Sequence, residues 1–130
     1  LQYRTYHGCA LPVPTQLASI AAWNDEKHVQ ENRELYRQKF AAVFDILKDH
    51  LDLTMPDGGF YFWPRTPYSD TDFARDLFAQ QNLTVLPGQY LARPTAQGNP
   101  GENRIRLALV ATLNECCEAA ERLRRFLETR

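Results

Sequence analysis

The run Gly101-Glu102-Asn103-Arg104-Ile105-Arg106-Leu107-Ala108-Leu109 reads as a strand with a cation on its polar side. Successive side chains of a strand point to opposite faces, so Ile105, Leu107 and Leu109 share one face and Arg104, Arg106 and Ala108 the other. A guanidinium held mid-strand is costly to desolvate unless an anion meets it. Its planar fork matches a carboxylate with paired hydrogen bonds. Arg106 is therefore a candidate anchor for a carboxylate ligand; the same pattern also suits an exposed edge strand carrying a solvated arginine. A second candidate is Gly58-Gly59 ahead of Phe60-Tyr61-Phe62-Trp63, where paired glycines let backbone or ligand approach closely. Turn chemistry alone would also account for that pair.

Other constellations are poorer. His7 and Cys9 are near neighbours in sequence, but no third group orients them as a nucleophile and base. His28 and His50 fall at helix ends, and Asp25-Glu26 reads as helix-surface charge. Cys9, Cys116 and Cys117 form no CxxC and no zinc-ligand spacing with histidine. Gly58-Gly59 is too short for a phosphate loop and precedes a strand instead of a helix.

The elements that must position these residues follow from periodicity and punctuation. A helix is predicted from about Pro14-Thr15, carrying Leu17, Ile20, Ala21 and Trp23. A longer one is predicted over about 31–51, with Tyr36, Phe40, Val43, Phe44, Leu47 and Leu51 on one side. No glycine or proline separates the two, so one continuous helix is possible. Leu53-Thr54-Met55 and Phe60–Trp63, joined by Pro56-Asp57-Gly58-Gly59, read as a hairpin. Ser69 or Asp70 caps a helix to about Gln81, with Phe73, Leu77 and Phe78 facing in. Leu83–Leu86 is a strand stopped by Pro87-Gly88, and 87–102 is a long loop rich in proline, glycine and polar residues. Thr112-Leu113-Asn114-Glu115 is a capping box opening a last helix with Leu113, Cys116, Ala120, Leu123 and Leu127 on one stripe. The expected fold is α/β in the α+β sense: a small sheet of short strands covered by helices.

Composition narrows the partners. The 130 residues carry a net charge of −1, with 44% hydrophobic and 24% charged residues, ordinary values for a globular domain. Such a balance gives no electrostatic reason to expect nucleic acid or an anionic membrane surface. No apolar run approaches the roughly 18 residues that span a bilayer, and no signal peptide or metal is expected. The odd cysteine count points to reduced thiols and a cytoplasmic setting. The chain lacks an initiator Met and opens in apparent mid-structure, so a fragment of a longer protein is expected.

Taken in order, Pro56-Asp57-Gly58-Gly59-Phe60-Tyr61, then Val85-Leu86-Pro87-Gly88, then Gly101–Ala108 resemble the C-terminal part of the class I/II aminotransferases, the fold-type I enzymes that use pyridoxal phosphate. Tyr6–Gln16 resembles the stretch leading into the long helix between the two domains of those enzymes. His7–Pro12 and Ala22-Trp23-Asn24-Asp25 look most like the succinyldiaminopimelate aminotransferase subfamily, of lysine and diaminopimelate biosynthesis.

That resemblance implies that 1–30 leads from a large domain into the interdomain helix and that 31–130 is the C-terminal small, substrate-closing domain. It implies that Arg106 holds the substrate α-carboxylate, that Gly59 and Phe60 close over bound substrate, and that Arg4 reaches a distal carboxylate. Arg104 would be surface or supporting. The implied substrates are amino acids and 2-oxo acids, succinyl-diaminopimelate with glutamate/2-oxoglutarate, in a homodimer. The cofactor would be pyridoxal 5'-phosphate in the full-length enzyme. Its Schiff-base lysine is not matched by Lys27, Lys39 or Lys48, so the chain alone is expected to be inactive. Another class I/II aminotransferase acting on alanine, aspartate or an aromatic amino acid, or a non-catalytic carboxylate-binding α/β module, would share these features.

Overall fold

In a computed structural model, which describes residues 2, 7, 8 and 10–129, the chain divides into two compact units, 1–34 and 35–130. The division falls within one helix.

In the first unit, helix α1 (Val13–Trp23) starts after Pro12 and carries Pro14 in its first turn, where a fixed φ suits the helix. It ends at Asn24, whose N–H returns to the Ile20 carbonyl at 3.1 Å. No residue of α1 is buried: Leu17, Ile20 and Trp23 are 62%, 58% and 83% exposed. Helix α2 (Glu26–Leu47) is a separate element, which corrects the continuous helix allowed by the sequence. Asp25 makes the break: its carboxylate accepts from Lys27 N–H at 3.1 Å and pairs with His28 at 3.1 Å. A side-chain acceptor there satisfies a first-turn donor, so a new helix starts without glycine or proline. Accordingly α2 starts earlier than the apolar stripe suggested and ends earlier, with Leu51 N–H turning back to the Leu47 carbonyl.

In the second unit, the later turns of α2 lie over a three-stranded antiparallel sheet of β1 (Tyr61–Phe62), β2 (Leu86–Pro87) and β3 (Ile105–Ala108), in the order β1-β3-β2. The expected hairpin does not form: residues 53–55 are not a strand, and β1 pairs with β3, Tyr61 opposite Ala108 and Phe62 opposite Leu107. Leu53 spends its N–H locally on the Leu51 carbonyl, Pro56 has none, and Gly59 takes φ +99°. That stretch is therefore a poor ladder partner. Of the run expected at 83–86 only Leu86 joins the sheet, and Pro87, expected to stop the strand, joins it too before a short 3₁₀ turn at Gly88–Tyr90.

Helix α3 (Asp70–Gln81) is capped by Ser69, whose hydroxyl accepts from Asp72 N–H, and closes at Asn82 in the left-handed region, φ 50°. Helix α4 (Leu113–Glu128) has the reciprocal Thr112/Glu115 capping box that its sequence announces. Phe62, Ile105 and Leu107 of the sheet meet Phe40, Val43 and Leu47 of α2 in one core. The Phe40 and Phe62 rings stand edge to face at 4.9 Å, as do Phe73 of α3 and Phe126 of α4 at 5.3 Å. Phe78, expected inside, is 56% exposed, and Phe126 takes the buried place on α4. The architecture is the expected small sheet of short strands covered by helices.

Candidate functional site

β3 is the middle strand, with a hydrogen-bonded neighbour on each side, so the edge-strand reading of Arg106 does not hold. Ile105, Leu107 and Leu109 are buried, and Arg104, Arg106 and Ala108 turn to the opposite face, as the alternation required. The pairing that sets Tyr61 against Ala108 and Arg65 against Arg104 puts Trp63 opposite Arg106. Leu86 stands opposite Arg106 on the other side. One face of the sheet thus gathers Tyr61, Trp63, Arg65, Arg104, Arg106 and Leu86.

Arg106 is half-buried, and its Nε is shut off from solvent with no hydrogen-bond partner among the described residues. A buried donor left unsatisfied costs about 1–3 kcal/mol, so this nitrogen is poised to reward an acceptor that reaches it. Arg104 is held differently: its Nη1 donates to the Trp63 carbonyl at 2.8 Å. The Tyr61 and Trp63 rings stand edge to face at 6.3 Å. Gly59 and Phe60 lie at the start of β1, toward the Leu109 end of β3, where the Phe60 carbonyl accepts from Leu109 N–H at 2.8 Å. Phe60 is exposed, edge-on to Tyr61 at 5.3 Å. Arg4 lies outside the described residues.

Contacts that the motifs did not reveal fix the start of β3. Gly88 N–H donates to the Arg104 carbonyl at 2.7 Å, and Asn103, at φ 55°, turns the chain into the strand. Asp70 is buried and accepts from Gln89 through both N–H and Nε2, at 2.9 and 2.8 Å. That pair ties α3 to the turn after β2. The only sequence signal for this support was the placing of Gly88 and Gly101 at the two ends of the long loop.

Cys9 lies outside the described residues, and the described nucleophilic candidates gain nothing from their surroundings. Burial pushes the Cys116 thiol up from its ordinary value, which disfavours the reactive thiolate. His28 pairs with Asp25 and His50 lies 3.8 Å from Glu128. Each lysine is engaged: Lys27 with Glu31, Lys48 with Asp45, and Lys39 with the Leu109 carbonyl at 3.2 Å while lying over the Tyr36 ring. These side chains do not fit a covalent pyridoxal phosphate site.

Residues 3–123 match the family described as Aminotransferase class I and II. The fold is similar to that of an aminotransferase from Neisseria meningitidis, with a TM-score of 0.89 and 50% identity over 97% of this chain and 32% of that one. The probable N-succinyldiaminopimelate aminotransferase of Thermus thermophilus is similar at a TM-score of 0.66 and 28% identity, over 78% of this chain and 26% of that one. In sequence, the LL-diaminopimelate aminotransferase of Syntrophobacter fumaroxidans is 32% identical over 115 residues, 85% of this chain and 28% of the relative. The chain thus spans between a quarter and a third of the length of these three proteins. Its fold is that of the small domain of the fold-type I enzymes, and the chain belongs to the class I and II aminotransferase family.

Proposed function

We propose that this chain serves as the substrate-closing domain of a pyridoxal phosphate-dependent aminotransferase, with Arg106 holding the substrate α-carboxylate. The observation that carries this reading is the buried, unpartnered Nε of Arg106 on the middle strand, beside Trp63 and Leu86. A carboxylate accepting from that nitrogen and a terminal one would satisfy the guanidinium in its preferred side-on geometry. Fixing the α-carboxylate also fixes the direction of the Cα–H bond, which lets a base supplied by another part of the enzyme remove the proton. Such orientation contributes several kcal/mol of barrier lowering, on the order of the effects seen when reacting groups are held in place. Pyridoxal phosphate, bound by the rest of the enzyme, supplies the electron sink for that chemistry.

Residues 1–30 then lead into the interdomain helix and 31–130 form the small domain. Gly59 and Phe60 close over substrate, and Arg4 reaches a distal carboxylate. The amino substrate is succinyl-diaminopimelate, exchanging with glutamate/2-oxoglutarate in a cytoplasmic homodimer. The similarity to enzymes named for diaminopimelate and its N-succinyl derivative supports this choice of substrate.

The test is Arg106→Ala in the full-length enzyme. KM for the amino substrate should rise strongly and kcat/KM fall roughly 100-fold, the scale of losing a paired charge-assisted contact. Both constants near wild type would overturn the assignment.

A further inference from the structure

A cleft of about 410 Å³ opens over β1 and Arg104, with Tyr61, Trp63, Thr54 and Asp52 also in its walls. Arg106 is not part of its wall, but stands opposite Trp63 in the register of the strands. Gly58 and Gly59 form another part of the wall and put no side chains into the space. From these residues we infer that the cleft receives a second carboxylate of the substrate, bound by Arg104 while Arg106 holds the first. This rests on the aminotransferase reading above and narrows its substrates to amino acids with an acidic distal end.

Arg104 is suited to the task. One of its nitrogens is spent on the Trp63 carbonyl, which fixes the plane of the guanidinium, and no carboxylate pairs with it among the described residues. By contrast Arg75, Arg122 and Arg124 are each engaged with carboxylates on their own helices. The fixed fork keeps donors for an incoming anion at little further entropic cost. Tyr61 and Trp63 offer ring surface to the methylenes between two carboxylates, and Thr54 brings a hydroxyl.

The spacing agrees. Arg104 and Arg106 are two residues apart on one face, so their Cα atoms are about 6.8 Å from each other along the strand. A medium-length dicarboxylic amino acid bridges such a gap. Succinyl-diaminopimelate carries carboxylates beyond its α-carboxylate, enough to engage Arg104 and a further cation as well. Asp52 is the opposing charge in the cleft, exposed at its wall. It repels a second anion, so its removal should tighten binding.

Pimelate and heptanoate, of equal length but with two and one carboxylates, separate the two arginines when their binding to the full-length enzyme is measured by calorimetry. Wild type should prefer pimelate. Arg104→Gln should weaken pimelate roughly 10- to 100-fold, as expected for charge-assisted hydrogen bonds, and leave heptanoate unchanged, which also reports an intact fold. Arg104→Lys should recover part of the loss, and Asp52→Asn should tighten pimelate. Pimelate binding unaltered in Arg104→Gln, or weakened in Asp52→Asn, would overturn the inference. Transamination of glutamate, an amino acid with an acidic distal end, by the wild-type enzyme is scored separately. Its absence would count against the aminotransferase reading, while the comparison of the two acids would still report on Arg104.

Discussion

Gly88 and Gly101 meet so closely that neither has room for a side chain. A Cβ on Gly88 would fall 2.3 Å from the Gly101 carbonyl oxygen, and one on Gly101 would fall 2.2 Å from that of Gly88. Both obstacles are backbone, which cannot swing aside as a flexible side chain can. The crossing closes the long loop onto itself and delivers the chain to Arg104 and Arg106. Gly88→Ala or Gly101→Ala should therefore cost about 1–3 kcal/mol through forced backbone displacement. Urea denaturation of each variant measures it, and an unchanged midpoint would show that the crossing is looser than these distances imply.

Asp70 is nearly inaccessible at 1% exposure and receives two hydrogen bonds from Gln89. Asp70→Ala would leave the Gln89 N–H without its acceptor, and a loss of about 1.5–3 kcal/mol is expected for hydrogen bonds to a charged group. Gln89→Ala should cost less, because the backbone bond to Asp70 survives it. Comparing the two denaturation midpoints checks the order, and a larger loss for Gln89→Ala would contradict it.

Glu115 gives the stability an acid-sensitive component. Hydrogen bonds from the side chain and backbone of Thr112 hold its carboxyl below the ordinary value of 4.5. With the folded value depressed, the stabilisation is complete above the unfolded value and disappears as pH falls through the folded one. Wild type and Glu115→Gln should therefore differ in stability at neutral pH and converge in the acid range below 4.5. Thermal melts at a series of pH values test this; a gap that persists at the acid end would contradict it. Thr112→Ala should cost about 1 kcal/mol at neutral pH by removing the cap.

Local chemistry was the legible part of this chain. The Ser69 and Thr112/Glu115 caps act within one turn, so their residues announce helices α3 and α4 without help from the rest of the fold. Alternation along β3 revealed the direction of Arg106 for the same reason. Pairing was less legible, because Tyr61 and Phe62 find their partners far along the chain instead of across the nearby Pro-Asp-Gly turn. The α4 stripe was read through Leu127 and missed Phe126, because both lie near the 3.6-residue period. Packing on Phe73 decides for Phe126. Arg104 and Trp63 came together only through that distant pairing, so the cleft had no signature in either segment alone.

The two faces of β3 also separate what must stay constant from what is free to change. Ile105 and Leu107 are committed to the core, and slipping the strand by one position would drive the arginines into it. Arg104 and Ala108 point the other way, where exchange of a side chain leaves the packing beneath intact. Among descendants of such a chain, side chains can change at these two positions without eroding the ability to fold.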